Sequence, residues 1–355
     1  MKTLHIIGGG MTGCFLAYFL KDRYHVVIHE KDSQLGGLSR TFYNIENIPY
    51  QKGFNLLSTN QQWILNIISK AGLPLSRIHH NIATNPFLDF NNHQFPFSRK
   101  SIDFLPWHWK ENICADLNKV NGSFSENLKD TIINFYGENI YEIFYKGFIK
   151  KLTHLDAENI DNTAWFKRYL TDLDSPTLYK EDCYFPVGGW NKLFDYLTQG
   201  VDVVFNSEVT NKDIPENDII VLTTPIDHFI GNNNLPYIGL TFDIDTTRYI
   251  PSHPDTIIYP NDVSFITISQ YGKLYNTIDK NIIIKETTHL NSGEYAYPVI
   301  TYDILHKYSL NVNYITRYYK SIYFCGPMAT YKHMTMAEII DEAHRVAGEI
   351  KHVEG

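Results

Sequence analysis

The sequence predicts an α/β chain whose parallel sheet is assembled from distant segments and which carries a helical insertion and a second, mixed sheet. Three observations predict it. Leu4–Cys14 reads as a short apolar strand running into the turn Gly8-Gly9-Gly10-Met11-Thr12-Gly13 and a helix. Val26–Glu30 reads as a second strand ending in an acid. Apolar strands return far downstream, at Asp218–Leu222 and Ile322–Gly326, as a sheet buried under helices on both faces requires.

In a strand–turn–helix unit of this kind each glycine has its own task. Gly8 permits the tight turn, Gly10 lets the backbone approach a pyrophosphate, and Gly13 lets helix and strand pack closely. Glu30 follows Gly8 by 22 residues, where a carboxylate accepts the ribose hydroxyls of an adenosine and repels a 2′-phosphate. A plain glycine-rich turn would not place strand, helix, strand and terminal acid in register. After Lys31 comes a second glycine turn, Leu35-Gly36-Gly37-Leu38-Ser39-Arg40. Large flavoproteins place such an extension near the pyrophosphate and ribityl chain, so the expected cofactor is FAD. An ordinary glycine loop is the competing reading.

At 355 residues the chain has the length for two or three joined domains. A net charge of −8 argues against general attraction to nucleic acid or an anionic membrane. A local cluster, Lys146, Lys150 and Lys151, is nonetheless placed to meet a phosphate. The cysteines Cys14, Cys114, Cys183 and Cys325 are isolated, which predicts a reducing compartment and no metal site. Met1-Lys2-Thr3 runs straight into a strand and no apolar run has membrane-spanning length, so a cytoplasmic location is expected.

The elements follow in order. Gln61–Ala71 reads as a helix that Gly72 stops, and Asn85–Pro106 as short strands and turns. Phe124–Phe135, Gly137–Lys151 and Asn162–Tyr169 read as helices, and Phe185–Trp190 as a turn into the helix Asn191–Leu197. Val201–Phe205 reads as a short strand. Ile238–Asp243, Thr256–Tyr259, Ser264–Ser269 and Asn281–Glu286 read as a mostly antiparallel sheet. Met336–Val346 reads as a helix whose N-terminus, with Gly326, returns to the flavin. The fold class is therefore α/β: a discontinuous FAD-binding Rossmann-like domain (1–84, 185–236 and 320–355), a helical insertion with a mobile segment (107–184), and a mixed-sheet substrate domain (85–106 and 237–319).

The ordered motifs resemble the UDP-galactopyranose mutase family over nearly the whole chain. They are Gly8-Gly9-Gly10, Leu35-Gly36-Gly37, Phe135-Tyr136-Gly137-Glu138, Phe144–Phe148, Phe185–Gly189, Leu222–Asp227, Tyr297-Pro298-Val299 and Ala329–Lys332. The resemblance implies reduced FAD, whose N5 attacks the anomeric carbon of a nucleotide sugar and displaces the nucleotide diphosphate. Such a site needs arginines around the leaving diphosphate. Here the sequence departs: Pro327 follows Gly326 where the family has arginine, and Thr267 aligns approximately with another. His333, Met334 and Thr335 stand where the family has an aromatic and an acid, and Asn55 stands where it has a histidine. The mobile segment after Arg168 is short, with no clear arginine among Leu170–Tyr179.

The resemblance and the motifs together nominate Tyr297, Tyr331, His333, Asn55 and Arg168 for catalysis, with His333 a donor to a flavin carbonyl or substrate or an acid–base group near neutral pH, and Asn55 an amide donor where the family has histidine. Each also has a structural reading: core aromatics, a helix-end cation, a structural histidine. Lys146, Lys332 and Arg248 are further candidate cations. Gly8, Gly10, Met11, Thr12, Gly13, Glu30, Lys31, Gly36, Gly37, Leu38, Val209, Gly326, Met334, Thr335 and Met336 are the expected cofactor residues. The leading expectation is reduced-FAD-dependent interconversion of pyranose and furanose forms of a nucleotide-linked sugar. Its partners would be that sugar, an electron donor or reductase, and a second copy in a homodimer. The alternatives are an FAD oxidoreductase on a small polar substrate and a noncatalytic flavin- or nucleotide-sugar-binding protein.

Overall fold

Thr3–Ile7 buries Leu4, Ile6 and Ile7 and pairs in parallel on both edges, with His25–His29 on one side and Ile219–Leu222 on the other. The computed structural model describes residues 2–53, 55–88, 91–160, 164–174, 178–247, 253–272, 274 and 281–354. Asp202–Val204 and Ile322–Phe324 complete a five-stranded parallel sheet at its two ends. All four residues of Ile219–Leu222 are buried, as the unbroken apolar run predicts. Helices Met11–Leu20 and Met336–Val353 share one hydrophobic core with one face of the sheet. Ile226–Ile230 and Tyr302–Ile315 share another with Ile220 and Leu222 on the opposite face.

The helix Tyr302–Ile315 was not anticipated. Its polar residues blur the apolar period, although Thr301 caps it by accepting the Ile304 N–H. Because it packs on the parallel sheet, this stretch is not part of the mixed-sheet unit in which 237–319 were expected.

The second sheet runs Glu294–Pro298, Tyr237–Thr247, Asn281–Leu290, Thr267–Gln270, Thr256–Ile258, Ile82–Thr84 and His93–Gln94. Its pairs are antiparallel except that Ile82–Thr84 lies parallel to Thr256–Ile258. Ile82–Thr84 therefore belongs to the mixed sheet rather than to the segment 1–84. The small sheet of Leu57–Ser58, Cys183–Pro186 and Leu75–Ile78 sits between the chain halves.

The insertion holds Trp107–Leu117, Leu128–Tyr136, a continuous helical run over Glu138–Thr153 wound as a π-helix across Tyr141–Tyr145, and a 3-10 segment Ala164–Tyr169. The second helix starts at Leu128, not Phe124, because Asn127 caps it by accepting the Asp130 N–H at 2.9 Å. Residues 162 and 163 of the expected Asn162–Tyr169 helix, and Arg248, lie outside the described residues. The insertion is docked on the mixed sheet. Lys151 Nζ donates to the carbonyls of Tyr259 and Phe265, at 2.6 and 3.2 Å, and Asn261 Nδ2 to those of Pro86 and Ile143. Gly147 is required at this contact, since a Cβ there would stand 2.2 Å from the Pro260 oxygen.

This docking also removes the expected basic cluster. Lys151 is held by carbonyls and its ammonium is pushed down to about 8 by burial. Lys146 pairs with Glu142 and Lys150 with Asp156 on the insertion. Among the described residues no helix is long and apolar enough to cross a membrane, and no cluster of three or more metal-ligating side chains occurs.

A Cβ on Gly13 would lie 2.0 Å from the Gly8 oxygen, a backbone atom that cannot step aside. Gly13→Ala should therefore cost about 2–3 kcal/mol in urea denaturation, at the upper end of what overpacking costs. Gly10→Ala meets nothing within 4 Å and should unfold like the wild type.

Candidate functional site

The parallel sheet presents its first turn at the carboxyl ends of its strands. Gly8 holds φ +106 and donates its N–H to His29 O at 2.9 Å. The Gly9 N–H donates to Glu30 Oε2 at 2.7 Å, and the Asp32 N–H to Glu30 Oε1 at 2.9 Å. Gly36 N–H then donates to Gly9 O at 2.8 Å, bringing the second glycine turn against the first. Both carboxylate oxygens of Glu30 thus serve the backbone, and each keeps a further lone pair for a ribose hydroxyl.

Three features of this cradle fit a pyrophosphate. Gly10 begins the helix Met11–Leu20 with no side-chain cap, so first-turn N–H groups remain available. The space where a Gly10 Cβ would stand is open. Arg40 gives Nη2 to Asp32 at 2.6 Å, while its buried Nε has no partner.

From the cradle a cavity of about 1160 Å³ runs between the two large sheets. All the expected cofactor residues line it except Gly13 and Gly326. These two act behind the wall. Gly13 touches Gly8, and Gly326, at φ +86, leaves no room for a Cβ beside Thr12 Oγ1. The helix beginning at Met336 brings Thr335 and Met336 to the cavity wall, with two N–H groups of its start already engaged. Thr335 Oγ1 accepts the Glu338 N–H and the Glu338 carboxylate accepts the Thr335 N–H, a closed capping box.

The nominated catalytic residues divide. Tyr297, His333, Arg168 and Asn55 line the cavity and Tyr331 does not. Tyr331 is buried in the core under the parallel sheet, stacked on Tyr308 with its hydroxyl donating to the Pro236 carbonyl. Asn55 lines the wall but directs Nδ2 at the carbonyls of Leu38, Lys52 and Gly53, at 2.9 to 3.2 Å. Its two N–H donors are thus engaged, so it is not the hydrogen donor expected in place of histidine. Gly188 and Gly189 do not line the cavity either. Gly189 packs against Thr41, which accepts the Trp190 N–H.

At the far end Tyr297 stacks on His333 with ring centroids 5.9 Å apart. Arg168 lies beside them with Nη2 3.2 Å from the Tyr169 hydroxyl, and keeps its accessible surface towards the cavity. Burial and the Arg168 charge push the His333 imidazole down to about 4. It is neutral at physiological pH, so the expectation of acid–base duty near neutrality does not hold. The Tyr297 hydroxyl is pushed far above its ordinary value by burial and by Glu286.

Glu286 escaped the sequence reading. The strand Asn281–Leu290 alternates, and Ile282 and Ile284 face the core while Glu286 continues that face into the cavity. An acid in phase with two buried isoleucines was the available signal. Burial lifts its carboxyl to about 7, and no ion pair to it occurs among the described residues. Thr267 lies directly opposite on the next strand and also lines the cavity, as does Pro327.

Comparison with known proteins agrees with this architecture. A family model described as UDP-galactopyranose mutase matches residues 143–333, and one described as an NAD(P)-binding Rossmann-like domain matches residues 6–71. A crystal structure of reduced UDP-galactopyranose mutase superposes with a TM-score of 0.77 at 15% identity, covering 100% of this chain and 94% of that one. A protein from Exiguobacterium sp. 255-15, provisionally named a protoporphyrinogen oxidase, gives 0.73 at 12% identity, covering 99% of each chain. Putrescine oxidase bound to putrescine gives 0.64 at 12% identity, again covering 99% of each. At these identities the structural likenesses establish the fold.

The His333 shift has a sign that can be measured. Its folded value lies below 6.5, so the unfolded chain takes up the proton first as the pH falls. The wild type should lose this contribution to stability between pH 6.5 and about 4, and His333→Asn should lose less across that window in urea titrations.

Proposed function

Because the chain belongs to the UDP-galactopyranose mutase family, we propose that it binds FAD in the glycine cradle and, with the flavin reduced, interconverts pyranose and furanose forms of a nucleotide-linked sugar. The observation that carries this reading is the single cavity. It joins a dinucleotide cradle to a chamber lined by Tyr297, Arg168, His333 and Glu286. When bound and reduced, the flavin would supply the nucleophile that takes the anomeric carbon.

The protein's own residues have the remaining tasks. The Met11 helix terminus and Arg40 hold the cofactor pyrophosphate, and Glu30 the adenosine ribose. In the chamber, Arg168 and Lys332 are the cations placed to retain a leaving phosphate group. The stacked Tyr297 and neutral His333 form an aromatic wall that orients the sugar and excludes water.

One observation favours a second reading, an FAD oxidoreductase on a small polar substrate. Thr267 and Pro327 line the cavity where the family resemblance leads to arginines, and neither brings charge. A diphosphate would then have fewer cations to meet.

Arg40→Met should weaken FAD binding about tenfold, or ~1.4 kcal/mol, in a flavin-fluorescence titration, as expected for a lost charge-assisted bond. Dithionite-reduced protein, incubated anaerobically with UDP-, TDP- and GDP-linked hexopyranoses, should change product ring size with no net loss of flavin electrons. Stoichiometric flavin oxidation by a substrate would instead select the oxidoreductase.

A further inference from the structure

We propose that Glu286 is the proton carrier of the sugar chamber. Its carboxyl gives a proton to the ring oxygen released when the bound sugar opens, and takes one from the hydroxyl that closes the other ring. The inference rests on the isomerase reading above. The balance is complete without a co-reactant. Opening adds one proton to the former ring oxygen, closure removes one from a different hydroxyl, and Glu286 ends as it began.

Position carries the argument. The alternation of Asn281–Leu290 fixes the side chain on the inward face, at the point where the isoleucine core gives way to the cavity. Thr267, opposite in register, supplies no cation. On another side the chain turns at Gly53, whose missing Cβ would stand 3.7 Å from Glu286 Oε2, so this turn borders the carboxyl. A partly buried carboxyl with no ion pair among the described residues favours its neutral form, and its value of about 7 lets it both donate and accept near neutrality.

The surrounding groups cannot take this task. Tyr297, on the adjoining wall, holds its proton far too tightly, as does Tyr179 beyond it. His333 carries no exchangeable imidazolium proton near neutrality, and Arg168 does not release its own. Tyr169 is engaged by Arg168, and Lys52, across the Gly53 turn, is paired with Glu294.

The test compares wild type, Glu286→Gln and Glu286→Asp as reduced, FAD-loaded protein with UDP-, TDP- and GDP-linked hexopyranoses, over about pH 5.5 to 9. The wild-type kcat should show a limb near pH 7, a position set by the Glu286 carboxyl. Glu286→Gln should lose roughly 10²–10⁴-fold in kcat, with KM changed little and the limb gone. Glu286→Asp should recover part of the rate and a displaced limb. Independently of turnover, difference infrared spectra should show a protonated-carboxyl band titrating near 7 that is absent from Glu286→Gln. A limb that persists in Glu286→Gln, or a missing infrared band, overturns the assignment while an active wild type upholds the isomerase reading. A wild type that interconverts no sugar overturns that reading, and this inference with it.

Discussion

The contact on which the site depends is the grip of the Glu30 carboxylate on the backbone of Gly9 and Asp32. Two charge-assisted hydrogen bonds, each worth about 1.5–3 kcal/mol, fix the first glycine turn to the end of the second strand. Gly9 in turn accepts the Gly36 N–H, so one buried acid holds two turns that are separated in sequence. A Cβ on Gly9 would press on Leu35 at 2.4 Å and on Glu30 itself at 3.0 Å. The cradle exists because backbone can approach backbone there, and the Met11 helix terminus stays uncapped and open beside it.

The chamber depends on a second contact, the seating of the insertion on the mixed sheet. The carbonyls of Tyr259 and Phe265 accept from Lys151, whose charge is destabilised by burial at this contact. Gly147 permits the helix to come within reach of Pro260. The insertion is a block whose aromatic core, including Tyr136, Phe144, Tyr145 and Phe166, runs on into Ile82 and Ile258 of the mixed sheet. Arg168 and Tyr169 belong to that block, whereas Tyr297 and Glu286 belong to the sheet. Docking is what brings the two sets to one cavity.

Charge within the chamber is arranged economically. Lys52 and Arg40, on the cavity wall, each have an ion-pair partner. Glu286 has none among the described residues, and His333 is kept neutral. The far end of the cavity therefore sets the Arg168 guanidinium, with Lys332 also on the wall, beside a neutral imidazole and a carboxyl lifted towards its neutral form. Such an environment strengthens any interaction made with a bound polar ligand, because little competing charge or water is present.

Sequence alone determined the nucleotide half, because its signals are local. Glycine spacing, the acid closing the second strand, and the unbroken apolar run Ile219–Leu222 each dictate their own backbone. Motif order was enough to reach the family. What needed the tertiary structure was the fate of individual side chains at the far end. Tyr331 and Tyr297 look alike as motif residues, yet one is a core residue bonded to Pro236 and the other lines the chamber. Asn55 has its amide donors engaged by carbonyls on its own and a neighbouring turn, and Thr335 uses its hydroxyl on its own helix. Glu286 stands out only once the strand register places it opposite Thr267, with no ion pair to it among the described residues. Burial, pairing and protonation are set by neighbours remote in the chain, and the sequence by itself does not say which neighbours will meet.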